Sequence, residues 1–576
     1  MSHTPNYDKK VQEILASTKP GERTCALTGE KWMMDEREIG WYKKFNVPPS
    51  KMHPHTRWQL AIGQYIGYQW WWNKHPETGK PLLATTHPAT GLKVLPDKEW
   101  YAKDFANGFT YEVNKPFFEQ WRQLQLATPV TASHNFVEVE NSIAAVSHGA
   151  INSYFTLAST SRDSLFTVNT ESERSCLINW SSGIQDSYMV SDAHNVFSSS
   201  YVLDSDAISH SDFVFGSDDL EFCFGASNQK HKKYLWFDEQ LTESEWKKRR
   251  AAVDFSSRSK LQALEDTFFR WLDTEVVWPE IMTVNSPGCT GEYLVQCLDC
   301  VHSYSCAWGV RDCYWVIHNY DRSERCAFLV GGATCEDVYY SVSNKDCSNV
   351  KFSSYLKECE DVEYSMNCEN CENCFGCVGL RHKKFHIFNK GYSEEEYWKR
   401  LDELKCAMLD RGEYGEFFPI SFSPSYQPYG GGPIFLHTTP EELTQLGALE
   451  FDPESQDATG ELLSRAQNPT PSSQIPDGVD AHPEQWIGKP MLDEKNHRRF
   501  TYLASEVEFY QKHGLPLPEE HFIHRILKLY SLSNAALFEE RHCEKCKKRV
   551  TIAHNSVFPN RKIYCISCYD AFCSSR

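Results

Sequence analysis

Cysteine returns every twelve residues in the second half of this chain, at Cys335, Cys347, Cys359 and Cys371, and each opens a segment resembling the one before. The four segments read CEDVYYSVSNKD, CSNVKFSSYLKE, CEDVEYSMNCEN and CENCFGCVGLRH, with Val338, Val350, Val362 and Cys374 at the fourth position. A unit of that length cannot bury a core by itself, so neighbouring units have to stack. Short β-favouring runs divided by turn residues and repeated at this interval predict a parallel β-solenoid. Its rungs would lie about 4.8 Å apart, so roughly six of them make a rod on the order of 30 Å long.

The repeat is itself duplicated. EFCFGASNQKHKKYLWFDEQLTESEWKKR, from Glu221, aligns without a gap on ENCFGCVGLRHKKFHIFNKGYSEEEYWKR, from Glu372, so that Cys223 meets Cys374, His231 meets His382 and Arg249 meets Arg400. Upstream of Glu221 the strand-like units are serine-led, as in SCLINWSS at Ser175 and HSDFVFGS at His210. Where one copy accepts serine and the other cysteine, the position needs a small side chain more than it needs sulfur. A helix follows each copy, and both open on a capping signature, Thr242 with Glu245 and Ser393 with Glu396.

A second duplication joins the two ends. REIGWYKKFNVPPSKMHPHTR, from Arg37, aligns with SEVEFYQKHGLPLPEEHFIHR, from Ser505, pairing Tyr42 with Tyr510, His53 with His521 and Arg57 with Arg525. The same offset carries Cys543, Cys546, Cys565 and Cys568 onto His75, Thr78, Asp97 and Trp100. The expected fold is mainly β with helical connectors: two tandem parallel β-solenoid segments flanked by duplicated terminal modules, the C-terminal one a zinc ribbon. Its expected parts are a degenerate ribbon-like module over 1–130, the first solenoid over 131–240, a helical connector over 241–281 and the second solenoid over 282–390. A capping helix over 391–418, a Pro/Gly-rich linker over 419–491 and the zinc-ribbon module over 492–576 complete the chain. Inside the linker, TPEELTQLGA from Thr439 reads as a short capped helix.

The net charge of -19 excludes a protein that coats nucleic acid with its whole surface. The opening segment lacks the apolar stretch of a signal peptide, and no run of about eighteen apolar residues occurs, which predicts a soluble, cytoplasmic protein without a membrane partner. In such a compartment the 22 cysteines are thiols or metal ligands and not disulfides.

WYKKFNVPPSKMHP, NKPFFEQWRQLQL, NCENCFGCVGLRHKKFHIFNKGYSEEEY, the Pro-rich linker, and EFYQKHGLPLPEEH followed by two Cys pairs span nearly the whole chain. Together they resemble an uncharacterised bacterial protein family of small-genome candidate phyla that combines cysteine-rich end modules with a central Cys repeat. The resemblance implies this architecture and no established activity. It also implies zinc-type cysteines in the N-terminal module, where this chain keeps only Cys25.

CEKC and CISC place Cys543, Cys546, Cys565 and Cys568 in two knuckles eighteen residues apart, a soft tetrahedral ligand set for structural Zn²⁺. Around them Arg541, Lys545, Lys547, Lys548, Arg549, Arg561 and Lys562 face only Glu544, a patch that could grip phosphates or serve as a solvated surface. Cys368, Cys371, Cys374 and Cys377, spaced by three in NCENCENCFGC, form a possible second metal or cluster site, since ferredoxins use a similar run for iron and sulfur. Packing within the repeat is the competing reading, for these four and for Cys297 and Cys300. His53 and His55 with His75 and Asp97 are a weaker metal set, broken by Thr78 and Trp100, and Trp70, Trp71 and Trp72 offer a stacking platform or core.

No phosphate-binding Gly loop, nucleophile elbow or zinc-protease motif is present, which leans against an enzyme. The favoured function is a non-enzymatic scaffold or adaptor with a structural zinc, binding a macromolecular partner such as RNA or a ribonucleoprotein. Two alternatives stay open: an iron-sulfur or thiol redox protein built on Cys368 to Cys377, and a carbohydrate-active β-helix enzyme using acidic residues such as Asp337, Glu358 and Asp361.

Overall fold

The computed structural model describes residues 2–320, 322–332, 336–345, 348–358, 360–454 and 468–576. Cys335, Cys347 and Cys359 therefore lie outside the described residues, and Cys371 is the member of that ladder whose surroundings are visible. The fold is mixed, about a third strand and a quarter helix, with many parallel strands. The helical share exceeds what a mainly β reading expects, because both end modules are built largely around helices.

The chain divides into two compact units, Met1–Ala132 with Met282–Asp452, and Ser133–Ile281 with Pro453–Arg576. Each unit thus joins one end module to the repeat that is remote from it in sequence.

In the second unit, strands of two to four residues form an eight-stranded and a ten-stranded sheet, parallel throughout except for the last strand of the larger one. Each strand pairs with the next one in the same sheet about one repeat away: Leu165 lies beside Cys176, Cys176 beside Tyr188, and Asp206 beside Asp218. In the first unit the same register places Ala327 beside Tyr339, Val342 beside Ser354 and Val362 beside Cys374.

Within the repeat, a left-handed backbone residue recurs at every third position, as at Asp361, Tyr364, Asn367, Asn370 and Asn373, with φ between 49° and 52°. The residue after each is buried: Val362, Ser365, Cys368, Cys371 and Cys374. In the other unit the buried series runs Ser187, Val190, Ala193, Val196, Ser199, Val202, Ser205, Ile208 and Ser211. Asparagine and aspartate tolerate this conformation best. Tyr364 and Phe213 occupy it too, held by the packing on either side.

The buried serines form a ladder. Ser199 Oγ donates to the carbonyl of Phe197 (2.8 Å) and accepts the Ser211 amide (3.1 Å); Ser187 and Ser211 do the same one repeat earlier and later. Cysteine adopts the donating half of that geometry, Cys223 Sγ on the carbonyl of Glu221 (3.6 Å) and Cys377 Sγ on that of Phe375 (3.5 Å). Ser199→Ala leaves the Ser211 amide without its acceptor and is expected to cost about 1–3 kcal/mol. Ser199→Cys should cost clearly less in urea unfolding, and equal losses would show that polarity alone matters.

The end modules are fastened by their duplicated residues. In the first unit Arg57, fully buried, donates to Tyr42 Oη (3.1 Å) and to Tyr339 Oη, and lies 3.3 Å from the centre of the Phe328 ring. In the second, Arg525 donates to Tyr510 Oη (2.9 Å) and Glu506 (2.8 Å) and lies over Phe166. His53 and His521 are matching N-caps, each accepting with Nδ1 the amide two residues on, at the starts of helices Pro54–Gly63 and Phe522–Tyr530.

Thr242 and Ser393 cap their helices as expected, and Thr439 with Glu442 forms a complete capping box on helix Pro440–Gln445. Much of 419–436 is packed: Ile420 shares a small core with Leu60, and Gln427 donates to the carbonyl of Gly63 (2.9 Å). Gly67 is required there, since a Cβ would stand 2.2 Å from the Tyr429 carbonyl oxygen. Among the described residues no helix is long and apolar enough to cross a membrane.

Candidate metal centre

Two short pieces of backbone bring four thiols together. Strands Phe538–His542 and Arg549–Ala553 form an antiparallel hairpin whose turn begins at Cys543. The Cys543 amide donates to Lys548 O and the Lys547 amide returns to Cys543 O, both 2.8 Å, with Lys547 in the left-handed region at φ 65°. This tight turn aims the Cys546 amide at Cys543 Sγ (3.5 Å).

The other pair follows strand Lys562–Tyr564. Cys565 is the N-cap of helix Ile566–Cys573, so Cys568 stands one turn on, along the same face. Strand Val277–Pro279 pairs in parallel with Lys562–Tyr564, and Glu280 accepts the Ile566 amide (2.9 Å). The Glu544 amide reaches Ile563 O (2.9 Å) and ties one knuckle to the other.

The sulfurs of Cys543, Cys546, Cys565 and Cys568 all lie within 4.8 Å of one another, and those of Cys546 and Cys565 are 3.7 Å apart. A tetrahedron with metal–sulfur bonds of about 2.3 Å has edges of about 3.8 Å, so the group fits a single four-coordinate ion. Burial opposes ionisation of Cys543, but the amides of Cys546 and Cys565 outweigh it and hold the thiol at about 6. Cys565 is lowered by the Ser567 hydroxyl and the Cys568 amide, whereas Cys568 is pushed up to about 12 by Cys565 beside it. Four thiolates this close repel one another, and a cation is what lets all of them ionise. Cys573 is not in the group.

The same knuckle occurs at three more hairpins, which the sequence reading did not resolve. At Cys25 the Gly29 amide returns to Cys25 O, and at His75 the Gly79 amide returns to His75 O, both 2.9 Å. His75 Nδ1 accepts the amides of Glu77 and Thr78 (3.2 Å each), the place a sulfur takes at Cys543, and Nε2 faces Glu99 (2.8 Å). At Asp493 the carboxylate accepts the amides of Asn496 and His521 (3.0 and 2.9 Å). Hydrogen bonds close these three knuckles. The signal was available in the end-to-end alignment, which puts Cys25 on Asp493 and His75 on Cys543. Among the described residues the four C-terminal cysteines are the one set of three or more ligands gathered closely enough for a metal, so His53, His55, His75 and Asp97 are not brought together.

Cys368, Cys371, Cys374 and Cys377 lie in the apolar core of the first unit, together with Cys297 and Cys300. Each of the four donates Sγ to the carbonyl two residues earlier, at 3.3–3.7 Å. Their spacing of three is the spacing of the buried positions.

The basic patch is divided by the fold. Arg561 is buried under Trp278 and donates to the Phe558 carbonyl (3.0 Å), while Arg541 pairs with Glu539 and Arg549 with Glu540. Lys545, Lys547 and Lys548 are exposed at the turn, and Lys562 is half-buried. Of the tryptophans, Trp70 and Trp71 are core and Trp72 is exposed. His231 faces Asp219 (2.8 Å) and Asp337 faces Arg325 (3.0 Å).

No protein-family model matches the chain, and no curated protein is similar to it. Among solved structures, a "putative acetyltransferase" from Desulfovibrio desulfuricans G20 aligns over 45% of this chain and 68% of its own at 9% identity, with a TM-score of 0.11.

Proposed function

We propose that this protein is a non-enzymatic scaffold built from two β-solenoids, each clasped by an end module, with a structural zinc ion in the C-terminal one. The observation that carries the zinc is the four-sulfur group itself: four cysteines would fill every position of a tetrahedral ion and leave none for a substrate. The parallel pairing at one-repeat offsets and the left-handed residue at every third position support winding of the chain into two solenoids. Elemental analysis of the purified protein should give one zinc per chain and no iron. Iron at stoichiometric level would overturn this reading in favour of redox chemistry.

The partner we propose is RNA, taken up by Lys545, Lys547 and Lys548 at the tip of the knuckle that the zinc would hold rigid. Each phosphate neutralised on a single strand contributes a salt slope of about −0.7, so three lysines should give roughly −2 in a plot of log affinity against log salt. Fluorescence anisotropy with a single-stranded RNA should show that slope, and replacing the three lysines by glutamate should abolish it. No binding at low salt would leave a protein-binding scaffold.

A further inference from the structure

In the first unit the buried cysteines are not scattered. Cys289, Cys300, Cys313 and Cys326 occupy equivalent positions on four successive repeats, and the column continues as Val338, Val350 and Val362. The backbone follows: the Thr290 amide donates to Cys300 O (2.9 Å), and the Cys300 amide donates to Cys289 Sγ (3.3 Å). That last bond matches the serine ladder, in which the amide of one repeat reaches the hydroxyl of the repeat before. Sulfur on sulfur is thus built into the column.

The two ends of the column differ. Cys300, Cys313 and Cys326 are closed off from solvent, whereas Cys289, on the first of these repeats, is partly exposed. Parallel neighbours stand about 4.8 Å apart at Cα, inside the range of about 4.4–6.8 Å that a disulfide spans. The neighbouring Cys300 thiol, together with the amide bond from Cys300, holds the Cys289 thiol down at about 7, within the range in which a thiolate is present and reactive.

We infer that Cys289 and Cys300 form a peroxide-reactive dithiol, with Cys289 as the attacking thiol and Cys300 as the resolving one. The thiolate of Cys289 attacks a peroxide oxygen, the O–O bond breaks, and water (or an alcohol) leaves with a proton, giving a sulfenic acid on Cys289. The Cys300 sulfur then displaces the sulfenic oxygen as water, and an S–S bond joins the two repeats. Two thiols and one peroxide become one disulfide and two molecules of water, or one water and one alcohol. The next thiol in the column, Cys313, lies behind Cys300 and is reached by exchange only after the first bond has formed.

The test uses the full chain with its metal retained. Reduced protein is treated with hydrogen peroxide at one equivalent, unfolded, alkylated, and cleaved after Glu292, which separates the two cysteines. The expected product is a Cys289–Cys300 crosslinked peptide, lacking two hydrogens and released by reductant. Cys289→Ser should abolish it and leave Cys300 alkylated as in untreated protein, and Cys300→Ser should leave Cys289 as the sulfenic acid, which a second equivalent of peroxide takes on to the sulfinic acid. Full alkylation of Cys289 after peroxide, a sulfinic acid on Cys289 with Cys300 still alkylated, or a link from Cys289 to Cys297 would each overturn the assignment. The peptide readout is separate from the zinc count, so failure here leaves the scaffold reading standing.

Discussion

Cys543→Ser, or removal of the metal by a strong chelator, is expected to unfold the C-terminal module while the first unit keeps its structure. A structural zinc in a small module carries about 10–16 kcal/mol of binding free energy, more than most domains possess in total. The reason lies in how the two knuckles are joined. Helix Ile566–Cys573 has no buried residue of its own, and the knuckles meet at the four-sulfur group and through the Glu544–Ile563 backbone bond. Without the ion, the group keeps four crowded thiols whose ionisation is mutually opposed.

The loss should then spread along a defined route. Strand Lys562–Tyr564 is the partner of Val277–Pro279, and Asp273 on helix Arg258–Thr274 accepts from the Asn560 amide (2.8 Å). Limited proteolysis with mass mapping should therefore show early cuts in 538–576, then in 258–281, with 282–418 protected throughout. Cys573→Ser is the control and should change nothing. Survival of the apo protein with an unaltered cutting pattern would rule out a structural ion at this site.

The repeat was legible because its period is short and the same buried positions return at a fixed interval. Val338, Val350 and Val362 stood out in the sequence as one column, and they share one core. The triplet inside the repeat was harder to see. In NCENCENCFGC it shows as sulfur, which invites a cluster; in the serine-led copy it is spread over serine, valine, alanine and isoleucine, whose only shared property is small or branched bulk. The backbone explains both, because a left-handed residue before each buried one is a property of φ and leaves only a weak trace in composition, the asparagines at 367, 370 and 373.

The pairing of each end module with the remote repeat had no sequence signal at all. It is written in contacts between positions hundreds of residues apart, such as Trp121 Nε1 on the Tyr364 carbonyl (2.9 Å). The basic patch failed in part for a similar reason. Glu539 and Glu540 stand just before the run, Glu539 pairing with Arg541 on its own strand and Glu540 reaching Arg549 on the neighbouring one, and Arg561 turns inward to support the hairpin.

Arg525→Ala is expected to destabilise the second unit by about 3–5 kcal/mol, because it strands Glu506, 2% exposed, as an unpaired charge in the core. It also removes the cation from the face of Phe166, 4.6 Å away, and the donor from Tyr510. The double variant Glu506→Gln with Arg525→Met removes both charges, keeps most of the volume, and should recover the greater part of that loss. A double variant as unstable as Arg525→Ala would mean that the guanidinium is needed for its stacking and hydroxyl contacts and not for charge balance. Arg57 offers the comparison within the same chain. Its carboxylate, Glu38, stands at 3.9 Å and itself accepts from Tyr42 Oη (2.5 Å) and Trp32 Nε1 (3.3 Å), so Arg57→Ala leaves Glu38 with two donors. The loss at Arg57 should therefore owe more to the vacated space against Phe328 and less to the orphaned charge, and Glu38→Gln should rescue it less than Glu506→Gln rescues Arg525→Ala. Urea unfolding followed separately in the two units would measure that difference.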